Sequence, residues 1–424
     1  MAQEDPHLDR MKRRVFLGAA AAGFAELAAA QSDPVPEAIQ KLRPMTAGVQ
    51  PIADDERRAR IEKARRLMRE NHLGAVVMEG GSSLFYFTGT RWTPTARTFA
   101  WVLPAQGEPV WVAARADEAA AHQAIRMGAD VRLWTAGDGP YKLLAQILKE
   151  RGAGLAVGIE ERVRFAVVDG LQQAAPALEL ASADPVTIRC RVIKSPAEIA
   201  LMQHANNVTI ACYKAVLSSL REGMTNAQLS AWIDAGYRAL GYRGDALVIF
   251  GKYTAFPHGS VQPQQLRPGD VVLIDDGCTV EGYQSDITRT VVFGKPTARQ
   301  RDVWNLERKA QDAALAAARP GAPCEAVDAA ARKVIVDGGF GPGYKLPGLP
   351  HRTGHGIGLD GHEWTYLVRG NTTPIQPGMC FSNEPTIAIP GEFGIRLEDC
   401  MYITESGARM FTGQSPAIDQ PFAS

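Results

Sequence analysis

The chain lacks a charge imbalance, a cysteine framework and a long apolar span, and each lack closes off a class of function. Its 424 residues carry 46 Lys+Arg against 46 Asp+Glu, a formal net charge of zero. Nucleic-acid binding ordinarily demands a basic surplus, and none exists here. Local runs such as Arg57-Arg58-Ala59-Arg60 and Lys63-Ala64-Arg65-Arg66 alternate with apolar residues and read as the solvated face of a helix. The six cysteines (190, 212, 278, 324, 380 and 400) show no C-x-x-C spacing. Most are therefore expected as buried free thiols, with a disulfide still open in an oxidising compartment. No G-x-S-x-G motif is present, and no short-period repeat or low-complexity tract.

The first 30 residues stand apart. Arg13-Arg14-Val15-Phe16-Leu17-Gly18 opens a weakly apolar run from Ala19 to Ala25, which Glu26 interrupts before the small residues Ala28-Ala29-Ala30. A membrane span needs about 20 apolar residues, so this run is too short. Paired arginines followed by Phe-Leu resemble a bacterial twin-arginine export signal, cleaved before Gln31, with a disordered basic tail as the alternative. The export reading implies a periplasmic or secreted mature protein with no integral membrane segment.

Residues 31–56 are rich in Pro, Gln and Asp and read as an extended linker. From Arg57 to residue 185 an α/β alternation follows. Strands are expected near 75–78, 84–88, 99–103, 109–113, 130–134 and 154–159, with helices near 57–68, 115–127, 140–150 and 163–174. This unit holds no cluster of chemically active side chains, so packing and cleft shaping are its expected roles. A second domain, residues 190–424, opens with Ser195-Pro196-Ala197-Glu198, a capping box with proline at the first helical position. Helices are expected at 196–220 and 226–240, strands over 246–293, two helices in 298–336, and strands again at 379–404. This makes an α+β domain whose polar chemistry is concentrated in its strands.

Val271-Val272-Leu273-Ile274-Asp275 is an apolar run ending in a carboxylate, and a buried charge must be paired or bind metal. Asp286 follows in Ser285-Asp286-Ile287-Thr288. The midpoint of the two aspartates falls inside Thr279-Val280-Glu281-Gly282, so a tight turn there would place them directly opposite each other on a hairpin. Facing carboxylates repel unless a cation or proton sits between them. Glu384 and Glu398 repeat the construction about Pro390-Gly391-Glu392, a strong turn signal. Between the hairpins lies His351-Arg352-Thr353-Gly354-His355-Gly356-Ile357-Gly358. Two histidines four apart suggest a helical zinc pair, but the glycines make that helix improbable, so at most one need be a ligand.

Four carboxylates and one imidazole form a hard site suited to Mn²⁺, Co²⁺ or Zn²⁺. Two ions about 4 Å apart can bridge a water, lower its pKa and clamp a reacting carbonyl, which is hydrolase chemistry.

The order Asp275, Asp286, Gly-His355-Gly, Asn-Glu384-Pro and Arg396-Leu-Glu398-Asp resembles the pita-bread metallopeptidases, a family that includes prolidase, aminopeptidase P and methionine aminopeptidase. Arg191-Val192-Ile193-Lys194-Ser195-Pro196-Ala197-Glu198 resembles the entry to their catalytic domain, and the resemblance spans about residues 57–410. It implies an α/β N-terminal domain of the creatinase/prolidase type, which methionine aminopeptidases generally lack, plus an α+β pita-bread catalytic domain.

The resemblance also implies roles. Asp275, Asp286, His355, Glu384 and Glu398 would hold two divalent ions, manganese first, with Asp286 and Glu398 bridging. Glu384 would shuttle a proton from the bridging water, and His362 would stabilise the tetrahedral intermediate. His258, His351 and Arg396 would contact substrate. Arg369, fifteen residues before Glu384, lies roughly where prolidase-like relatives carry an arginine for a dipeptide's free carboxylate. The implied activity is hydrolysis of Xaa-Pro bonds, by an expected homodimer, through a metal-bridging hydroxide. One departure stands out. Many proline-specific members follow the first glutamate with Pro-Gly-x-Tyr, whereas this chain has Pro385-Thr386-Ile387-Ala388, which weakens strict proline specificity. A related amidohydrolase or esterase with relaxed specificity, and a catalytically silent peptide-binding module, are the alternatives. The intact ligand set argues against the second and against a metal-free, creatinase-like enzyme.

Overall fold

A computed structural model describes residues 34–152 and 155–422. The expected export signal lies outside them. The stretch expected as a linker holds one short helix, α1 (Glu37–Gln40), and then runs without regular structure to α2 (Asp54–Glu70). It is tied to the C-terminal domain, because Met45 N–H donates to the Leu240 carbonyl and the Met45 carbonyl accepts from Tyr242 Oη.

The N-terminal unit is a six-stranded mixed sheet in the order β4-β3-β2-β1-β5-β6. Its elements are β1 (Leu73–Glu79), α3 (Ser82–Thr88), β2 (Ala100–Pro104), β3 (Val110–Ala114), α4 (Glu118–Ala124), β4 (Val131–Trp134), α5 (Pro140–Gly152), β5 (Ala156–Ile159), α6 (Phe165–Ala174), β6 (Leu180–Ser182) and α7 (Asp184–Arg191). Alternation along β1 sends Ala75 and Val77 into one apolar cluster and Val76 and Met78 into another, as the two-residue period of a strand requires. The second cluster continues without a break through Leu201 and Met202 to Val272 and Ile274 of the next domain. The two domains therefore share a core.

Two expectations fail here. Residues 84–88 are helix α3, not a strand. A short apolar run such as Leu84-Phe85-Tyr86-Phe87 fits either state, and Gly89, left-handed at φ 70°, closes it as a helix. Arg57 and Arg60 are buried rather than solvated. They donate to the Phe85 and Tyr86 carbonyls (2.7 and 3.0 Å) in the last turn of α3, where backbone donors run short and Phe85 also accepts from the capping Gly89 N–H (2.8 Å).

The C-terminal domain begins with α8 (Pro196–Leu217), its capping box formed as expected, and α9 (Asn226–Leu240). These helices pack on the antiparallel sheet β10-β8-β7, built from β7 (Gly244–Phe250), β8 (Val271–Val280) and β10 (Ile287–Val292), with the short β9 (Tyr283–Gln284) paired to β8. Next come α10 (Ala298–Ala317) and α11 (Cys324–Asp337). A five-stranded sheet in the order β12-β11-β13-β16-β17 and a ribbon β14-β15 complete the domain. Their strands are β11 (Gly354–Gly356), β12 (Glu363–Leu367), β13 (Cys380–Asn383), β14 (Thr386–Ile389), β15 (Phe393–Arg396), β16 (Asp399–Thr404) and β17 (Gly407–Met410). All six cysteines are buried free thiols.

The β8/β9 hairpin touches the N-terminal domain at its tip. Glu281 (φ 48°) and Gly282 (φ 94°) make the two-residue turn, which needs positive φ at both positions. A Cβ on Gly282 would lie 2.7 Å from the Phe85 ring. Next to it, Tyr283 Oη donates to Glu198 (2.8 Å) and accepts from Arg60 (3.3 Å).

Candidate metal centre

Each pair of candidate ligands comes from one hairpin, but the two hairpins set their spacing differently. In the first, Asp275 lies opposite Thr288, and Thr279 opposite Gln284, in one continuous register. The aspartates are thus diagonal neighbours on one face, not directly opposite as the midpoint suggested. The turn is Glu281-Gly282, one residue later than expected, and it shifts the pairing. In the second hairpin, Asn383 pairs Asp399 on one side and Thr386 pairs Arg396 on the other. Glu384 and Glu398 face each other in the gap between these two ladders, as the Gly391 turn predicts.

His355, on β11, is 1% exposed. Its Nδ1 lies 3.0 Å from the Gly356 carbonyl, which can only accept, so Nδ1 carries a proton and Nε2 is the atom turned towards the acids. Nε2 lies 3.1 Å from Glu384 Oε1 and 3.6 Å from Asp286 Oδ2. Among the described residues, Asp286, His355 and Glu398 each offer a ligand atom within 4.8 Å of the others. Glu384 joins through His355, and Asp275 through its repulsion of Asp286.

The electrostatics favour a cation. Burial and then the neighbouring carboxylates push Asp286 and Glu398 well above the usual carboxylate range. Burial would raise Glu384 too, but the hydrogen bond and charge of His355 hold it low. Burial disfavours a charged His355, yet Glu384 and Asp286 outweigh it and raise its pKa. Four acids crowd one imidazole and Arg396, and this donor set fits hard divalent ions.

Arg396, expected to meet substrate, spends its guanidinium on the protein. It donates to Asp275, to Thr288 Oγ1 (3.1 Å) and to the Pro257 carbonyl (3.1 Å). The last bond ties the loop carrying the exposed His258 to the site. His351 uses both ring nitrogens, on the Arg352 carbonyl (2.6 Å) and Thr386 Oγ1 (3.1 Å), and burial lowers its pKa. Thr386, standing at the glycine position of the Pro-Gly-x-Tyr pattern, is thus the partner of His351, and Ala388 takes the place of the tyrosine.

His362 approaches His355 edge-to-face at 4.0 Å. His362 is exposed, but partial burial of the ring, then His355 and Arg352, lower its pKa to about 4, so it is neutral at pH 7. Arg369 bonds none of these residues. It is exposed, in a turn that Glu325 holds through the Gly370 N–H (2.9 Å).

Other residues at the site were not foreseen. Thr288 Oγ1 donates to Glu398 (2.7 Å), and Arg289, fully buried, holds the Glu398 carbonyl (3.0 Å) and Asp399 (2.7 Å). A charge inside the strand Ile287-Thr288-Arg289-Thr290 was the available signal. Arg352 lies over Tyr366 (4.8 Å) and lowers both His351 and His362. A groove of about 700 Å³ runs from Asp275 and Asp286 past Leu247 to Thr279 and Arg243.

Metallopeptidase family M24 matches residues 200–405, and the Creatinase/Prolidase N-terminal domain matches residues 60–193. The chain belongs to metallopeptidase family M24. It is 37% identical over 341 residues to "Probable dipeptidase PepE" of Mycobacterium tuberculosis, covering 79% of this chain and 89% of that one. It is 31% identical to the Xaa-Pro dipeptidase of Lactobacillus helveticus, with 83% and 96% covered. The crystal structure of dipeptidase PepE from Mycobacterium ulcerans superposes with a TM-score of 0.79 at 34% identity, covering 86% and 97%. The M24 protein is therefore a metallopeptidase with a creatinase-type N-terminal domain and a pita-bread catalytic domain, and its family implies divalent metal at this cluster.

Proposed function

We propose that this M24 protein is a dinuclear peptidase that cleaves Xaa-Pro bonds, with dipeptides as its first substrates. The observation that carries this reading is the convergence of Asp275, Asp286, His355, Glu384 and Glu398 from two hairpins and one strand beside an open groove. The names of relatives that are dipeptidases add the substrate class.

When bound, the ions would lower the pKa of a water and polarise the scissile carbonyl. The chain supplies the rest. Glu384, held ionised by His355, takes the proton from the attacking water and passes it to the departing amine. His362, neutral at pH 7, donates an N–H to the carbonyl oxygen as charge develops there. Manganese as the native metal, export in the folded state and a homodimer belong to the same reading. The first is supported by the carboxylate-rich donor set and the second by Arg13-Arg14.

Ala388 in place of the tyrosine favours a second reading, a peptidase of the same mechanism that tolerates residues other than proline after the scissile bond. One experiment separates them: turnover of Xaa-Pro dipeptides, Xaa-Ala dipeptides and longer Xaa-Pro peptides, with Mn²⁺, Co²⁺ or Zn²⁺ added and metal counted per chain. Cleavage confined to Xaa-Pro supports the first reading, and comparable cleavage of Xaa-Ala supports the second. Bound metal without cleavage of any of them overturns both.

A further inference from the structure

The segment joining the two domains ends both its cations on one carboxylate. Arg191 closes α7 and is 7% exposed. It donates to Ser83 Oγ (3.0 Å), Asp360 Oδ2 (2.7 Å) and Glu363 Oε1 (2.5 Å). Lys194 Nζ donates to Glu363 Oε2 (2.9 Å). Glu363 Oε1 also accepts the N–H groups of Leu359 (2.9 Å) and Asp360 (3.1 Å), which closes the loop 359–363 upon itself. Asp360 Oδ1 in turn accepts from Ser82 Oγ (2.5 Å) and Arg162 (2.8 Å), both of the N-terminal domain. His362 sits inside this loop, immediately before Glu363.

What holds the His362 ring is therefore the loop, not close packing. One edge meets His355, but on the side of the N-terminal domain a cavity of about 190 Å³ is lined by Ser83, Arg191, Asp360, His362 and Trp364. A loop released from its charge-assisted bonds has room to let the ring turn away.

We propose that Arg191 is a positioning residue for His362, and that through it the docked N-terminal domain aims this side chain into the cleft. The effect on rate rests on the peptidase reading above; the placement of the ring does not. None of Ser82, Ser83, Arg162 or Arg191 bonds a metal-ligand candidate, so the action is through the loop.

The test is Arg191→Lys, which keeps the charge but cannot reach Ser83, Asp360 and Glu363 together. On an Xaa-Pro dipeptide, kcat is expected to fall about ten-fold, the scale of a misplacement below 1 Å, with KM and metal content unchanged. In a His362→Ala background the same change is expected to cost nothing further, since residues acting through one group are not additive. The His362 ring resonance, assigned by its loss in His362→Ala, is expected to shift or broaden while that of His204 stays put. Multiplicative rate effects, or an unmoved His362 resonance, would overturn the proposal. If Arg191→Lys does not fold, Asp360→Asn cuts the same path and is read the same way. If no Xaa-Pro substrate is cleaved by the wild type, the peptidase reading falls, and the resonance still decides this one.

Discussion

Gln311 and Asn383 hold each other twice: the Gln311 side chain donates to the Asn383 carbonyl (3.3 Å), and the Asn383 side chain donates to the Gln311 carbonyl (2.9 Å). Gln311, fully buried on α10, also reaches the Leu397 carbonyl (3.3 Å) and Asp399 (3.1 Å). It thus spans the gap between the two ladders from which Glu384 and Glu398 project. Gln311→Ala is expected to strand these buried acceptors, costing about 1–3 kcal/mol of stability in a urea melt. It should also weaken metal uptake in an equilibrium dialysis experiment. Loss of stability with unchanged uptake would make the bridge purely a matter of packing.

Asp286→Ala should abolish hydrolysis and lower metal content together, because it removes the carboxylate that faces both His355 and Asp275. Metal analysis beside the activity assay checks this. Near-normal turnover at full occupancy would mean that the centre is elsewhere.

His362→Ala should keep its metals and lose rate by roughly 10²–10³, the scale of one donor lost from a developing oxyanion. Binding of a product-like inhibitor should persist. A rate within a few-fold of wild type would reduce His362 to a structural role.

Carboxylate recognition offers a choice between two arginines. Arg369 is exposed in a turn and bonds none of the candidate ligands, whereas Arg352 acts on both His351 and His362. Arg352→Ala is expected to raise KM for dipeptides by roughly ten- to a hundred-fold, the loss of a charge-assisted bond of about 1.5–3 kcal/mol, and to spare longer peptides. Arg369→Ala should leave both alone. The reverse pattern would return the role to Arg369.

Acid should loosen the domain junction at Glu363. Burial alone would raise this carboxyl, but Lys194 and Arg191 hold it at about 2, below its ordinary value of 4.5. A depressed carboxylate stabilises the fold above its unfolded pKa, and that contribution is lost as pH falls through the folded one. Wild type should therefore exceed Glu363→Gln in stability above about pH 4.5, with the gap closing towards pH 2. Urea midpoints of the two proteins across that range measure it, and a constant gap would contradict the assignment.

Much of this was readable in the residues themselves, where local chemistry decides geometry. The Gly391 turn gave the register of Glu384 and Glu398 because a turn centred there leaves one pairing. The partner of Asp275 was misjudged by two positions, since Val280 and Tyr283 close the hairpin around a turn one residue later than expected, and a strand continuing to Val280 looks the same as one ending earlier. The burial of Arg57 and Arg60 was out of reach: their partners are carbonyls of a helix that the apolar run at 84–88 does not announce. Arg191 was visible as a motif residue, but its partners Ser83, Asp360 and Glu363 are remote in sequence, and only the docked domains bring them together.

Phe85 lies where a side chain on Gly282 would have to go, at the far end of the arm that bears both aspartates. An arm pinned at its tip is steadied along its length, so the N-terminal domain braces a cluster to which it contributes no carboxylate or imidazole. Asp275 and Asp286 thus stand on a hairpin whose far end is held by a neighbour with no candidate ligand of its own.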